Sequence, residues 1–218
     1  MVLSPKIWGI LLKLAQGPYE IRLKAKHMVY IFEGMDNCLK DTLIQLFRAT
    51  LSPQTQILKY NSPPDGVSNI ELWQKAHFED MFDLIKTNLD NGSRNLILNR
   101  AHLGEYVYSP IYRGYEGDWI FDLEKSFLGS SDFYQSQIKL FVFYDSNNYN
   151  LHLREDGRSF SSNNNENLDK ERGRFLQAFQ KSMIPNKSIF DLSDYPDASK
   201  DEQNRVDVQS ILKLLLEF

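Results

Sequence analysis

At 218 residues, with hydrophobic and charged fractions ordinary for a globular protein, the chain is long enough for one α/β domain with a sizeable core. Cys38 is the sole cysteine, which excludes an intrachain disulfide and an all-cysteine zinc site. The net charge of −4 is uneven: residues 1–30 carry five basic residues against one acidic, and the acidic remainder argues against broad, sequence-independent nucleic-acid binding.

The first 27 residues stand apart. "KIWGILLKLAQG" places a basic residue before an apolar stretch, but Lys13 interrupts it and no small-residue cleavage site follows clearly. It reads as a short amphipathic extension or, preferred here, as an upstream start before a domain that opens at Met28. No apolar run approaches the roughly 20 residues needed to span a bilayer, so no membrane partner is expected.

From Met28 onward, short apolar runs alternate with helical patterns. Val29 to Phe32 predicts a buried strand, and Lys40 to Thr50 a helix with Leu43, Leu46, Phe47 and Thr50 on one face. "TQILKY" predicts a second strand, ended by the loop "NSPPDG". A long helix follows over 69–90, its apolar positions Leu72, Ala76, Met81, Phe82, Ile85 and Leu89, closed by "DNG". "RNLILNR" is a third strand, 119–128 a helix, "QIKLFVFYD" a fourth strand, "REDGRSFSSNNNEN" a polar, mobile segment, 168–182 a helix, "SIFDLSD" a fifth strand and 206–218 a final amphipathic helix. The alternation predicts a parallel sheet covered on both faces, with ligands at the carboxyl ends of its strands.

Three segments at such ends suit phosphate chemistry. "IFEGMDNCLKDT" runs from strand to helix with Gly34 and, six residues on, Lys40; loop amides and the helix dipole favour anions, and Lys40 supplies a point charge. By itself an ordinary strand–turn–helix competes with this reading. "LNRAHLGEYVYSPIYRG" brackets Tyr106, Tyr108 and Tyr112 between Arg100 and Arg113, and arginine suits bidentate phosphate contacts; packed tyrosines and solvated arginines are the alternative. "REDGRSFS" carries Arg154 and Arg158, which could close over a transferring phosphoryl group but in isolation are better read as a solvated loop. His27, His77, His102 and His152 have no ligand-like spacing, and no nucleophile-elbow sequence is present.

Taken together, the order and spacing of the three segments resemble the thymidylate kinase family of P-loop nucleoside monophosphate kinases, over residues 28 to about 217. The family's F-E-G-x-D-G-x-G-K-[ST]-T is matched in register by Phe32, Glu33, Gly34, Asp36, Lys40 and Thr42, and its D-R-[YF]-x-x-S-x-x-A-Y more loosely, with Arg100 and Tyr108 identical. "HLGEYVYSPIYRG" is similar to divergent bacteriophage members. The resemblance implies a three-layer P-loop NTPase fold: a five-stranded parallel sheet, helices on both faces and an arginine-bearing lid. It implies transfer of the ATP γ-phosphoryl group, with Mg2+, to a deoxynucleoside monophosphate, dTMP or a related pyrimidine, in the cytoplasm (the host's, for a viral protein) and as a homodimer.

By the same resemblance Gly34, Asn37, Cys38, Leu39, Lys40, Asp41 and Thr42 hold ATP. Lys40, Arg100, Arg154, Arg158 and Asp36 are the catalytic set, and Asp41 and Asp36 serve the metal. Trp73, His77, Phe78, Asn99, Arg100 and Tyr108 face the acceptor. The family's base-stacking aromatic is followed four residues on by an arginine; Trp73 with His77, or Phe78 with Phe82, stand there without it. Four further positions depart: Leu39 and Asn37 replace glycines, Asp41 a hydroxyl residue and Asn99 an aspartate. Leu39 is the serious one, since a side chain there should displace or rearrange the loop. Two alternatives follow: a phage kinase acting on a modified base in DNA, and a catalytically weak binding protein on the same fold.

Overall fold

The computed structural model describes residues 27–60, 62–92, 94–129, 131–155, 157, 159, 164–196 and 206–218. Most of the N-terminal extension and Arg158 lie outside them. Five strands, β1 (Val29–Gly34), β2 (Gln56–Lys59), β3 (Leu96–Asn99), β4 (Ile138–Tyr144) and β5 (Lys187–Asp191), form one sheet in the order β2-β3-β1-β4-β5. Every pairing is parallel, with Val29 opposite Leu96 on one side and Ile138 on the other. The expected five-stranded parallel α/β sheet is therefore observed. All six residues of β1 are buried, as befits a strand with neighbours on both edges and helices on both faces.

The helices are α1 (Lys40–Thr50), α2 (Ile70–Asn91), α3 (Leu103–Tyr108), α4 (Trp119–Leu128), α5 (Asp132–Gln137), α6 (Asn148–Leu153), α7 (Asn165–Lys181) and α8 (Val208–Glu217). α1 packs with α8; α2 packs with α4 and α5, and α3 with α4 and α7, as a second group. Phenylalanines tie the strands together: Phe32 stacks on Phe143 at 5.8 Å, and Phe143 on Phe190 at 5.2 Å.

Two expected faces are displaced. On α1, Ile44 is buried and Thr50 is not; Thr50 sits in the last turn, where its hydroxyl donates to Phe47 O. On α2, Leu72 is 64% exposed and Ala76 is also exposed, while Gln74 and Phe78 are buried together with Met81, Phe82, Ile85 and Leu89. The first turns of α2 run past the core and border a cavity instead. Three short helices, α3, α5 and α6, were not expected, because six residues are too few to display a helical period. α3 continues into a π-helical turn, Ser109–Arg113, ended by Gly114 in the left-handed conformation. No helix among the described residues is long and apolar enough to cross a membrane.

Candidate phosphate-binding site

β1 delivers the chain into a loop whose first residue has to be glycine. Gly34 has φ 130°, and a Cβ there would fall 1.9 Å from Phe143 O. Met35 N then donates to that oxygen at 3.0 Å, anchoring the loop to β4. Asn37 (φ 62°) and Leu39 (φ 54°) both adopt the left-handed conformation. Leu39 thus keeps the backbone that glycine would give, at about 1–2 kcal/mol of strain. Its side chain is partly buried against the core, and its carbonyl accepts from Leu43 N at 2.9 Å, the first turn of α1. The chain enters α1 with Leu39 in the left-handed conformation.

Lys40 is 6% exposed. Its Nζ donates to Gly34 O at 2.8 Å and also to Met35 O, closing the loop upon itself. Burial pulls its ammonium below the ordinary lysine range and Arg100 adds to that, against the pull of Asp36. Cys38 is buried beside it, its thiol pushed up to about 12 by burial. Asp41, in the first turn of α1, accepts from Asn99 Nδ2 and lies 3.4 Å from Lys59 Nζ. Burial would raise its carboxyl, but the Asn99 and Lys59 partners outweigh this and hold it below the usual carboxylate range.

A cavity of about 220 Å3 opens over this loop. The six loop and helix residues from Asn37 to Thr42 line it, together with Asp36, Asn99, Arg100 and Arg154. Gly34 lies beneath. Asp36 pairs with Arg100 at 2.5 Å. Arg154, capping α6, pairs with the buried Asp145, and its Nε donates to Asn150 O at 2.9 Å. Lys59 and Ser159 complete the lining and were not foreseen. Glu155 joins the two sides: it accepts from Asn37 Nδ2 at 2.9 Å, from Gly157 N at 2.7 Å and from the Ser159 hydroxyl.

The loop after β3 is equally strained and differently held. Arg100 has φ 65°, and its amide donates to Phe32 O at 2.9 Å. Directly beyond, the fully buried Glu33 collects the amides of Ala101 (3.0 Å), Leu103 (2.8 Å) and Gly104 (3.3 Å) on Oε1. This carboxylate satisfies the otherwise orphaned N–H groups at the start of α3. Burial pushes Glu33 up; His102, those amides and Lys40 pull it back without cancelling the shift. His102 is itself wholly buried, its Nε2 2.6 Å from Glu124 Oε2, a structural pairing.

Arg100 also lines a second cavity, of about 40 Å3, with Phe78, Gln74, Tyr108, Glu105 and Arg113. Of the expected acceptor-facing residues, Phe78, Arg100 and Tyr108 meet there and Asn99 lines the first cavity. Trp73 and His77 line neither; they stack on each other at 4.5 Å, with Tyr60 against His77 at 5.0 Å. Phe82 packs into the core on His102 and Phe127. Among the described residues no group of three His, Cys, Asp or Glu side chains could hold a metal ion.

Solved structures with the same architecture are found at low identity. A YorR protein from Bacillus subtilis, solved in complex with phosphorylated GDP, superposes with a TM-score of 0.60 at 14% identity, over 87% of this chain and 94% of that one. Thymidylate kinase from Ehrlichia chaffeensis gives 0.53 at 13% identity, over 88% and 98%. Polyphosphate kinase 2 from Arthrobacter aurescens gives 0.54 at 12% identity, over 96% and 74%. The fold is that of the P-loop kinases. No family model and no curated protein matches the sequence. The loop from Gly34 to Lys40 thus occupies the P-loop position of the fold, after β1 and before α1. Glu33 escaped notice as a site residue because the amides it binds lie about 70 residues away in the chain, although its place beside Gly34 was visible. Lys59 gave no signal beyond ending a strand.

Proposed function

We propose that the protein transfers the γ-phosphoryl group of ATP to a deoxynucleoside monophosphate, dTMP or a related pyrimidine, releasing ADP and the deoxynucleoside diphosphate. The observation that carries this reading is the sharing of Arg100 between two cavities at the carboxyl ends of β1 and β3. One is walled by the P-loop and its lysine, the other by an aromatic ring, tyrosine and a second arginine. A triphosphate in the first and a monophosphate in the second would meet at Arg100. The acceptor phosphate oxygen then attacks Pγ as the bond from Pγ to the β–γ bridging oxygen breaks. Such transfer depends on positioning and charge neutralisation. Lys40 and the P-loop amides would hold the triphosphate, Arg100 the acceptor phosphate and Arg154 the charge of the moving group. Arg158 is assigned to the same task from the sequence alone.

Mg2+ usually takes one or two carboxylates and completes its shell with water and phosphate. Asp41, lining the cavity beside Thr42 and paired with Asn99 and Lys59, would offer it a carboxylate oxygen, and Asp36 is paired with Arg100. Bound there, Mg2+ would offset triphosphate charge. The resemblance of "HLGEYVYSPIYRG" to phage members of the family is the sequence feature that favours the thymidylate kinase type. A second reading, nucleotide binding without turnover, is favoured by the strained, leucine-bearing P-loop. Incubation with ATP, Mg2+ and each deoxynucleoside monophosphate should give diphosphate, with a Lys40→Ala variant as background. Product no greater than that background refutes the kinase reading, and ATP binding alone would select the second.

A further inference from the structure

Gln74 lies on the buried face of α2, one turn before Phe78, and is 2% exposed. Both residues line the second cavity. Its Oε1 is sealed from solvent and has no hydrogen-bond partner among the described residues. Burying an amide oxygen unpaired is costly, and a folded protein rarely tolerates it without a use. An aliphatic side chain would fill the same place on the helix at no such cost.

The surrounding wall offers donors. Arg100 and Arg113 both line it, and Arg113 uses Nη1 on Glu105. Glu105, the carboxylate beside it, is already engaged: Oε1 accepts from the hydroxyls of Ser109 (2.7 Å) and Tyr115, and Oε2 from Arg113. Glu33 Oε1 is occupied by backbone amides. The wall therefore asks for a flat ligand that brings one N–H to Gln74 Oε1 and carbonyl oxygens to the donors around it.

Resting on the kinase reading, we infer that Gln74 is the residue that selects the acceptor base, pairing its carboxamide with the N3–H and O4 edge of a pyrimidine-2,4-dione while Phe78 covers the ring. Cytosine fits less well, because its N3 carries no hydrogen to donate to Gln74 Oε1.

Calorimetric titration of the full chain with dTMP, dUMP, dCMP and N3-methyl-dTMP tests this, on the wild type and on Gln74→Leu. In the wild type, dTMP and dUMP should bind more tightly than dCMP, and N3-methylation should weaken dTMP binding by about tenfold or more. In Gln74→Leu, dTMP should weaken by a similar factor while the methyl penalty disappears and ATP binding stays unchanged. The variant should melt no lower than the wild type, since it removes an unpaired buried oxygen. Gln74→Met serves as the second apolar variant if leucine perturbs folding. An equal methyl penalty in both proteins, an absent penalty in the wild type, or tighter binding of dCMP overturns the inference and leaves the kinase reading standing. Failure of the wild type to bind any nucleoside monophosphate overturns the kinase reading and the inference with it.

Discussion

The loops after β1 and β3 face each other across Arg100 and are held by opposite means. After β1, a buried cation gathers carbonyls: Lys40 Nζ on Gly34 and Met35. After β3, a buried anion gathers amides: Glu33 on Ala101, Leu103 and Gly104. Each loop also carries non-glycine residues at positive φ, Asn37 and Leu39 in one and Arg100 in the other. The difference lies in what the holding group can do next. Glu33 rises from the end of a buried strand and borders the smaller cavity, with its Oε1 held by three backbone amides. Lys40 sits at the first turn of a helix on the wall of the larger cavity, on a flexible stem, and under the proposed kinase reading it would exchange two carbonyls for phosphate oxygens.

That contrast is open to attack by mutation. Lys40→Ala should lower phosphoryl transfer by about 100- to 1000-fold while costing less stability than any change at Glu33. Steady-state kinetics and urea denaturation together check it, and equal damage to fold and rate would erase the distinction. Glu33→Ala strands three amides in a closed site and should cost about 3 kcal/mol in urea unfolding. Glu33→Gln, which keeps one acceptor oxygen, should cost less. Leu39→Gly relieves the left-handed strain but adds chain freedom to the unfolded state and removes packing, so stability should move by no more than about 1 kcal/mol. Turnover should rise by up to about tenfold if the leucine hinders phosphate approach.

The smallest effect expected is in pH dependence. Because burial and Arg100 lower the Lys40 pKa, its ammonium loses its proton below the ordinary lysine value of about 10.4. The alkaline limb of kcat/KM for ATP should therefore fall earlier than a solvent-exposed lysine would allow. The sign for stability is opposite. Between the native and unfolded values the unfolded chain binds more protons, so this group's contribution grows as pH rises through the native value. A parallel decline in stability over that range would place the lysine outside the buried cluster. Cys38, with its thiol pushed up to about 12, should resist iodoacetamide at pH 8 in the native protein and react once it unfolds.

What the sequence made legible follows from how local each signal is. α1 and α4 were placed to the residue, and all five strands were found, because apolar runs and turn residues act within a few positions. The strand–loop–helix from β1 to α1 was readable despite Leu39, since Gly34, Lys40 and the strand before them lie close together in the chain. The pairing of Asp36 with Arg100 and of Glu33 with the β3 loop was not, because only the parallel register of β1 with β3 brings them together. Gln74 was passed over for a related reason. A glutamine with Phe78, Met81 and Ile85 at positions i+4, i+7 and i+11 is a polar residue on an apolar stripe, and that mark was hidden by the choice of Leu72 and Ala76 for the stripe's first turn. The base-facing residues expected at Trp73 and His77 fall on the neighbouring face for the same cause.

The strand order carries a cost in time. Among the described residues β1 is the first strand made, yet its two neighbours are β3 and β4, and Val29 waits for Leu96 on one edge and Ile138 on the other. At ribosomal speeds of about 5–20 residues per second, the first partner is several seconds behind. Throughout that interval the run Val29–Phe32 has two open edges and no sheet to enter. A nascent chain arrested before β3 should therefore remain protease-sensitive and chaperone-dependent, and one arrested after β4 has cleared the ribosome should be the earliest to resist digestion.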